Sequence, residues 1–254
     1  MSQPILATGD LTVRFGGHVA VDAVTCAFKA GELTAIVGPN GAGKTTYFNL
    51  ISGQITPSAG SVHLRGRDIS RLSVASRTRA GIGRAFQLTN LFPNLTVLEN
   101  VRLVVQSRAG IGFSLLTMAA RHRELVAAAE GILDRVRLLD LALQKVSELS
   151  HGNQRKLEVA LLIALEPSVY MFDEPTAGMS VDEAPVVLDL IADLKQQSDC
   201  AILLVEHKMD VIARLADRIV VLHNGALAAD GDPATVIASD VVQEAYMGKD
   251  LADV

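Results

Sequence analysis

One segment combines the residue types that hold a phosphate: Gly38-Pro39-Asn40-Gly41-Ala42-Gly43-Lys44-Thr45, a full match to G-x-x-x-x-G-K-[ST]. Glycines let the backbone curl until several N–H groups face one centre. The segment follows the apolar run Leu33–Val37 and opens the helix-like run Thr46–Ile51, so a helix N-terminus adds its partial positive charge. Lys44 is placed to reach β- and γ-phosphates, and the Thr45 hydroxyl to complete an Mg²⁺ shell. A plain Gly-rich turn before a helix is the alternative, which the strand–loop–helix context disfavours. A second segment, Val169-Tyr170-Met171-Phe172-Asp173-Glu174, is a short apolar strand that delivers two adjacent carboxylates. Asp173 is placed to hold Mg²⁺, directly or through water, and Glu174 to polarise a water in line with the γ-phosphate. An ordinary strand with an acidic end would look the same on its own; its pairing with a phosphate loop argues for the chemistry.

Three further positions gain meaning only from their order. Leu149-Ser150-His151-Gly152-Asn153-Gln154 precedes the acidic strand and leads into the helix-like run Arg155–Leu165. Ser and Gly at a helix N-terminus present hydroxyl and amide donors to an anion, although a plain N-capped helix reads similarly. His207 follows the strand-like Ala201–Val205, where a lone His is ordinarily a surface residue. Phe15 stands ahead of the phosphate loop, in a run where Phe is ordinarily core.

In this order the segments resemble the ATP-binding cassette (ABC) ATPases, and the resemblance covers the whole chain. The hexapeptide is similar to the family's LSGGQ signature, with His151 for the first Gly and Asn153 for the Gln. The resemblance implies that Gly38, Pro39, Asn40, Gly41, Ala42, Gly43, Lys44, Thr45 and Thr46 cradle ATP. It implies that Ser150 and Gly152 meet the γ-phosphate of ATP on an opposing subunit, and that Phe15 stacks on adenine. Gln87, in Arg84-Ala85-Phe86-Gln87, matches the Q-loop residue that contacts Mg²⁺ or the attacking water. The catalytic set it implies is Glu174, His207, Lys44 and Gln87, and the metal set Thr45, Gln87 and Asp173. Pro175–Ser180 takes the place of the D-loop, with Ser180 where many members carry Asp.

Finer features narrow the resemblance. Phe15-Gly16-Gly17, Glu206-His207, Ala245-Tyr246-Met247-Gly248 and the stretch Ser107–Arg123 look like ATP-binding subunits of branched-chain amino acid importers. Importers of urea, short amides or aromatic acids share much of this, and a soluble ABC ATPase of the iron–sulfur assembly type is the reading from another class. The importer reading implies membrane permease subunits, a second ATP-binding subunit (a twin or a paralogue) and a periplasmic or lipid-anchored solute-binding protein. It implies a peripheral place on the cytoplasmic face of the inner membrane.

Composition sets bounds. The chain has 254 residues, 49% hydrophobic, enough for one large α/β domain. A net charge of −5, no Trp and few aromatics argue against a nucleic-acid partner. No N-K-x-D motif is present to read guanine. Cys26 and Cys200 lie far apart with no metal-ligand spacing, as expected of free buried thiols. Met1–Thr8 lacks the basic start and apolar core of a leader, and no apolar run approaches the length of a membrane span.

The elements that must position these groups follow from periodicity. Short β-branched runs predict strands at Leu11–Phe15, Val19–Phe28, Leu33–Val37, Ser61–Leu64 and Ile82–Phe86. From Val97 to Leu143 the pattern is helical, with Leu125, Ala129, Ile132 and Val136 on one face. Strands and helices then alternate: Val169–Phe172, Asp182–Gln197, Ala201–Val205, Met209–Ala216 and Ile219–Leu222, the last closing a hairpin through His223-Asn224-Gly225. The expectation is an α/β P-loop fold of ABC-ATPase type over 1–254, with an N-terminal antiparallel β layer and a parallel sheet covered on both faces. A helical subdomain is expected at about 88–145 and a C-terminal helix at about 239–254.

Overall fold

A computed structural model describes residues 3–85, 91–110, 118–196 and 199–239, without the side chains of 118–122. Gln87, the centre of the Ser107–Arg123 stretch, the ending Ala245–Gly248 and the expected C-terminal helix lie outside the described residues. The chain forms two compact units.

The first unit comprises residues 1–83, 168–174 and 195–254. Its elements are β1 (Leu6–Phe15), β2 (His18–Phe28), β3 (Leu33–Val37), α1 (Lys44–Ser52), β4 (Ala59–Leu64), β5 (Arg67–Asp68) and α2 (Val74–Ala80). β6 (Ile82–Ala85) runs into the second unit, and β7 (Val169–Asp173), β8 (Ala201–Val205), α7 (Met209–Leu215), β9 (Arg218–His223), β10 (Ala226–Gly231) and α8 (Pro233–Ile237) complete the first. One sheet is antiparallel, in the order β2-β1-β4-β5, and the other has six strands, in the order β10-β9-β3-β8-β7-β6. The central strands of the second pair in parallel, and β10 closes its edge antiparallel to β9.

The strand sequences explain this placement. Every residue of β3, β7 and β8 is buried, as expected of strands covered on both faces. Alternate side chains part to opposite sides, as the pleat requires. Ile36, Val220 and Leu222 join a core with α1 and the antiparallel sheet, through Tyr47, Phe48, Leu50, Ile51, Leu11 and Val24. Ala35, Val37, Ile219 and Val221 join a second core with Ile212 of α7 and Val236 of α8. Cys26 and Cys200 are both buried, and no disulfide joins them.

Two buried polar arrangements fix α1. Tyr47 and Thr8 share a hydrogen bond of 2.8 Å between their hydroxyls, and the Cys26 N–H donates to Thr8 Oγ1 at 3.1 Å. At the other end, Arg77 is 1% exposed, and its guanidinium donates to the carbonyls of Leu50 (2.6 Å), Ile51 (2.7 Å) and Ser70 (2.7 Å). A helix leaves its last carbonyls without helical partners, and a cation there also opposes the negative end of the dipole.

The second unit comprises residues 84–167 and 175–194. It holds α3 (Val97–Arg108), α4 (Met118–Arg135), two short 3-10 turns, α5 (His151–Leu165) and nearly all of α6 (Ala184–Lys195). A capping box opens α3: Glu99 N–H donates to Thr96 Oγ1 and Thr96 N–H to Glu99 Oε2. Asn100, 1% exposed, ties Phe92 and Thr96 to the same turn through both ends of its amide. Arg108 pairs with Glu166 and donates to the Ala164 carbonyl at the end of α5.

Two outcomes follow from this packing. Arg77→Ala strands several buried carbonyls, so urea denaturation is expected to show a loss of about 3 kcal/mol. Burial, with a smaller push from Asp199, moves the Cys200 thiol up to about 11, and burial also raises that of Cys26. Iodoacetamide at pH 8 should therefore leave the folded chain unlabelled and react only after denaturant is added. Labelling of the native chain at the rate of free cysteine would contradict the packing.

Candidate phosphate-binding and hydrolytic site

The carboxyl ends of three parallel strands carry the chemistry. Ile36 of β3 pairs with Val205 of β8, and Val205 pairs with Asp173 of β7, so the three strands stop at nearly one level. Beyond β3 comes the loop Gly38–Gly43, beyond β7 comes Glu174, and beyond β8 come Glu206 and His207. Open α/β sheets bind ligands at this edge.

The loop's shape is imposed by its neighbours. Gly43, the N-cap of α1, has φ 96°, and a Cβ there would run into the Ala20 carbonyl of β2. Only glycine combines that dihedral with that approach. A Cβ on Gly38 would likewise collide with the Leu222 carbonyl of β9. The β9–β10 turn, with positive φ at Asn224 and Gly225, braces the loop from behind: Gly225 N–H donates to the Ala42 carbonyl at 3.1 Å. Lys44 is buried, and its ammonium donates to the Gly38 and Pro39 carbonyls at 2.6 and 2.9 Å, which centres its charge within the loop. No side chain caps α1, as suits a helix start that receives an anion.

A cleft of about 280 Å³ opens here, lined by Asn40–Thr46, His18, Ala20, Glu174 and His207. That is near the lower bound of ligand clefts, the scale of a nucleotide's phosphate end. Glu174 holds φ 51°, a costly conformation for a side chain with Cβ, and its N–H donates to the Val205 carbonyl at 2.9 Å. Its Oε1 lies 2.7 Å from His207 Nε2, so carboxylate and imidazole form a hydrogen-bonded pair at the cleft. Glu206, 3% exposed, accepts from the backbone N–H groups of His207 (2.8 Å) and Lys208 (3.3 Å), which sets the turn that presents the imidazole.

The cleft thus brings together Asn40, Gly41, Ala42, Gly43, Lys44, Thr45, Thr46, Glu174 and His207. Gly38 and Pro39 contribute carbonyls to Lys44, and Asp173 ends β7 buried beside Val205. Phe15 is half exposed and pairs with His18 across the β1–β2 turn, so it is not a core residue. Ser150 and Gly152 belong to the second unit: Ser150 caps α5, accepting from the Asn153 N–H at 3.2 Å. Sequence reasoning missed His18 and Ala20 and gave Glu206 no role. The first two reach the cleft through strand pairing and the third acts on backbone, and neither property leaves a local pattern.

The donors suit magnesium, which prefers hard oxygens and shares its shell with water and phosphate rather than a protein cage. Thr45 and Asp173 supply such oxygens, and among the described residues no cluster of three or more His, Cys, Asp or Glu is grouped to hold a metal by itself.

Comparison with known proteins agrees with this geometry. The family described as "ABC transporter" matches residues 21–177. The chain is 37% identical over 254 residues to the high-affinity branched-chain amino acid transport ATP-binding protein LivG of Salmonella typhimurium, covering 98% of this chain and all of that one. It is 37% identical over 256 residues to the corresponding protein BraF of Pseudomonas aeruginosa, with 98% and 100% covered. Among solved structures, the ADP conformation of MJ1267, an ATP-binding cassette of an ABC transporter, superposes with a TM-score of 0.81 at 29% identity, over 97% of this chain and 100% of that one.

The loop should fail when its close approach is filled. Gly43→Ala is expected to weaken ATP binding at least about tenfold in a fluorescent-nucleotide titration, because the methyl drives the loop from Ala20. Unchanged affinity would detach the loop's shape from binding. A glycine-wrapped phosphate cleft at the ends of parallel strands, matched over more than half its length by one family, places this chain in the ABC transporter family.

Proposed function

We propose that the chain is the ATP-hydrolysing subunit of an importer for branched-chain amino acids. The observation that carries the chemistry is the cleft in which the glycine loop faces Glu174 and His207, themselves hydrogen-bonded. Full-length likeness to LivG and BraF supports the solute class.

In this reading Gly38–Thr46 wrap the phosphates of ATP, and Lys44 with the N-terminus of α1 offsets the charge that gathers on the β- and γ-oxygens. Glu174 takes the proton of the attacking water, and His207 holds that carboxylate in place and lies beside the γ-phosphate. The products are ADP and phosphate. Bound Mg²⁺ would supply further charge neutralisation, held by Thr45 and Asp173, with Gln87 completing the set. Phe15 supports the adenine. Ser150 and Gly152, at the capped start of α5, close on the ATP of a second ATP-binding subunit, so that two nucleotides are held head to tail.

No described helix is long and apolar enough to cross a membrane. The pore is then supplied by permease subunits, with a solute-binding protein delivering the amino acid, and the chain sits on the cytoplasmic face of the membrane. Bound ATP draws the two halves together and its hydrolysis lets them part.

Glu174→Gln is expected to bind ATP within about threefold of the native affinity while turnover falls at least about a hundredfold, and to accumulate an ATP-dependent dimer by size exclusion. Hydrolysis at the native rate would remove Glu174 as the base. The solute is tested by co-expression with the permeases genetically linked to the chain: labelled leucine uptake should depend on Lys44 and resist excess urea. Uptake of urea in place of leucine would reassign the importer.

A further inference from the structure

Within the second unit, the loop that follows Glu174 touches the turn that opens α5, both in one chain. Ser180 and Glu183 form a reciprocal pair at the entry to α6. The backbone N–H and hydroxyl of Ser180 donate to Glu183 Oε2 at 3.3 and 3.1 Å, and the Glu183 N–H donates to the Ser180 carbonyl at 3.2 Å. The same carboxylate is pressed against Gly152: a Cβ built there would overlap Cδ and both oxygens of Glu183. A second contact runs alongside, with the imidazole of His151 against Gly178, where an added Cβ would stand 3.4 Å from the ring.

These contacts account for two departures from the family pattern. Ser180 gives Glu183 both a hydroxyl and an N–H donor, and His151 reaches the loop in place of a glycine. They also give Gly152 a reason of its own. It is a buried residue in the first turn of α5, where alanine would favour the helix, and its φ is not one that demands glycine. A methyl group there would have to push the neighbouring carboxylate away from its place beside Ser180. A negative group beside the start of α5 also sits favourably in the field of the helix.

We infer that Glu183 is a positioning residue that locks the signature turn to the loop carrying Ser180, so that both move as one piece. The inference rests on the reading above, in which Ser150 and Gly152 close on ATP across a dimer. In that setting the loop after Glu174 and the signature turn travel together toward the opposite subunit, and the carboxylate between them sets their spacing.

A double-mutant cycle in the full-length chain tests this. Glu183→Ala should lower kcat about five- to tenfold with KM for ATP within about twofold, because the phosphate cleft of the first unit is untouched. Gly152→Ala should cost more, about twentyfold or beyond, and lower the thermal midpoint, since the methyl meets the carboxylate. Combining the two should return kcat to within about twofold of Glu183→Ala alone and restore the midpoint. Glu183→Gln, equal in shape, should not rescue Gly152→Ala. Additive losses in the double variant, or a fully active Gly152→Ala chain, would overturn the lock. The underlying reading fails separately: a Glu174→Gln chain with Gly152 and Glu183 intact that never dimerises on ATP sinks the composite site, while the thermal cycle still decides whether the two loops are locked.

Discussion

Backbone pairing of Ile36 with Val205, and of Val205 with Asp173, holds the ends of β3, β8 and β7 at one level. The groups in the cleft inherit their spacing from that ladder. Lys44, Glu174 and His207 come from segments far apart in sequence, and the side chains of Glu174 and His207 are partly exposed. All three strands are buried along their whole length, and in β3 a slip of one residue would exchange Ile36 with Ala35 and Val37 between two different cores. The aliphatic interior thereby sets the geometry of exposed polar groups, at distances that matter for proton transfer.

The phosphate loop shows the same dependence at closer range. Its curl is fixed from outside, by the carbonyls of Ala20 and Leu222 and by the donor at Gly225. The helix it opens is fixed from the far end by Arg77 and along its length by Tyr47 and Thr8. A long polar side chain wholly inside a small unit is costly unless every donor is used, and here the guanidinium spends its donors on carbonyls that the helix cannot satisfy. Such an arrangement resists axial sliding of α1.

Much of this was legible in the residues. β3, β7 and β8 announced themselves as continuous apolar runs, and the glycine loop as a link between a strand and a helix, although α1 starts at Lys44 and not at Thr46. β8 spans Ala201–Val205, the range its pattern marks out. α5 was harder: its apolar period begins after Arg155, yet the helix starts at His151 because Ser150 caps it there. α2, with the sequence VASRTRA, shows no apolar stripe, since its one fully buried side chain is Arg77 and the reason lies in hydrogen bonds. β1 begins at Leu6 rather than Leu11 because Thr8, polar in sequence, is satisfied by Tyr47 inside. His18, Ala20 and Glu206 owe their places to pairing partners or backbone donors, which no window along the chain can display. Departures from a family pattern, noted at His151 and Ser180, proved to adjoin the same pair of loops.

The turn at Asn224-Gly225 carries a consequence for load. Its amide holds the Ala42 carbonyl, and the Gly225 carbonyl in turn receives the Asp22 N–H. An anion that tugs on the glycine loop therefore pulls against two sheets at once, through short and directional tethers. Displacement of the loop is thereby resisted by the body of the protein, so the cradle can be stiff without being bulky.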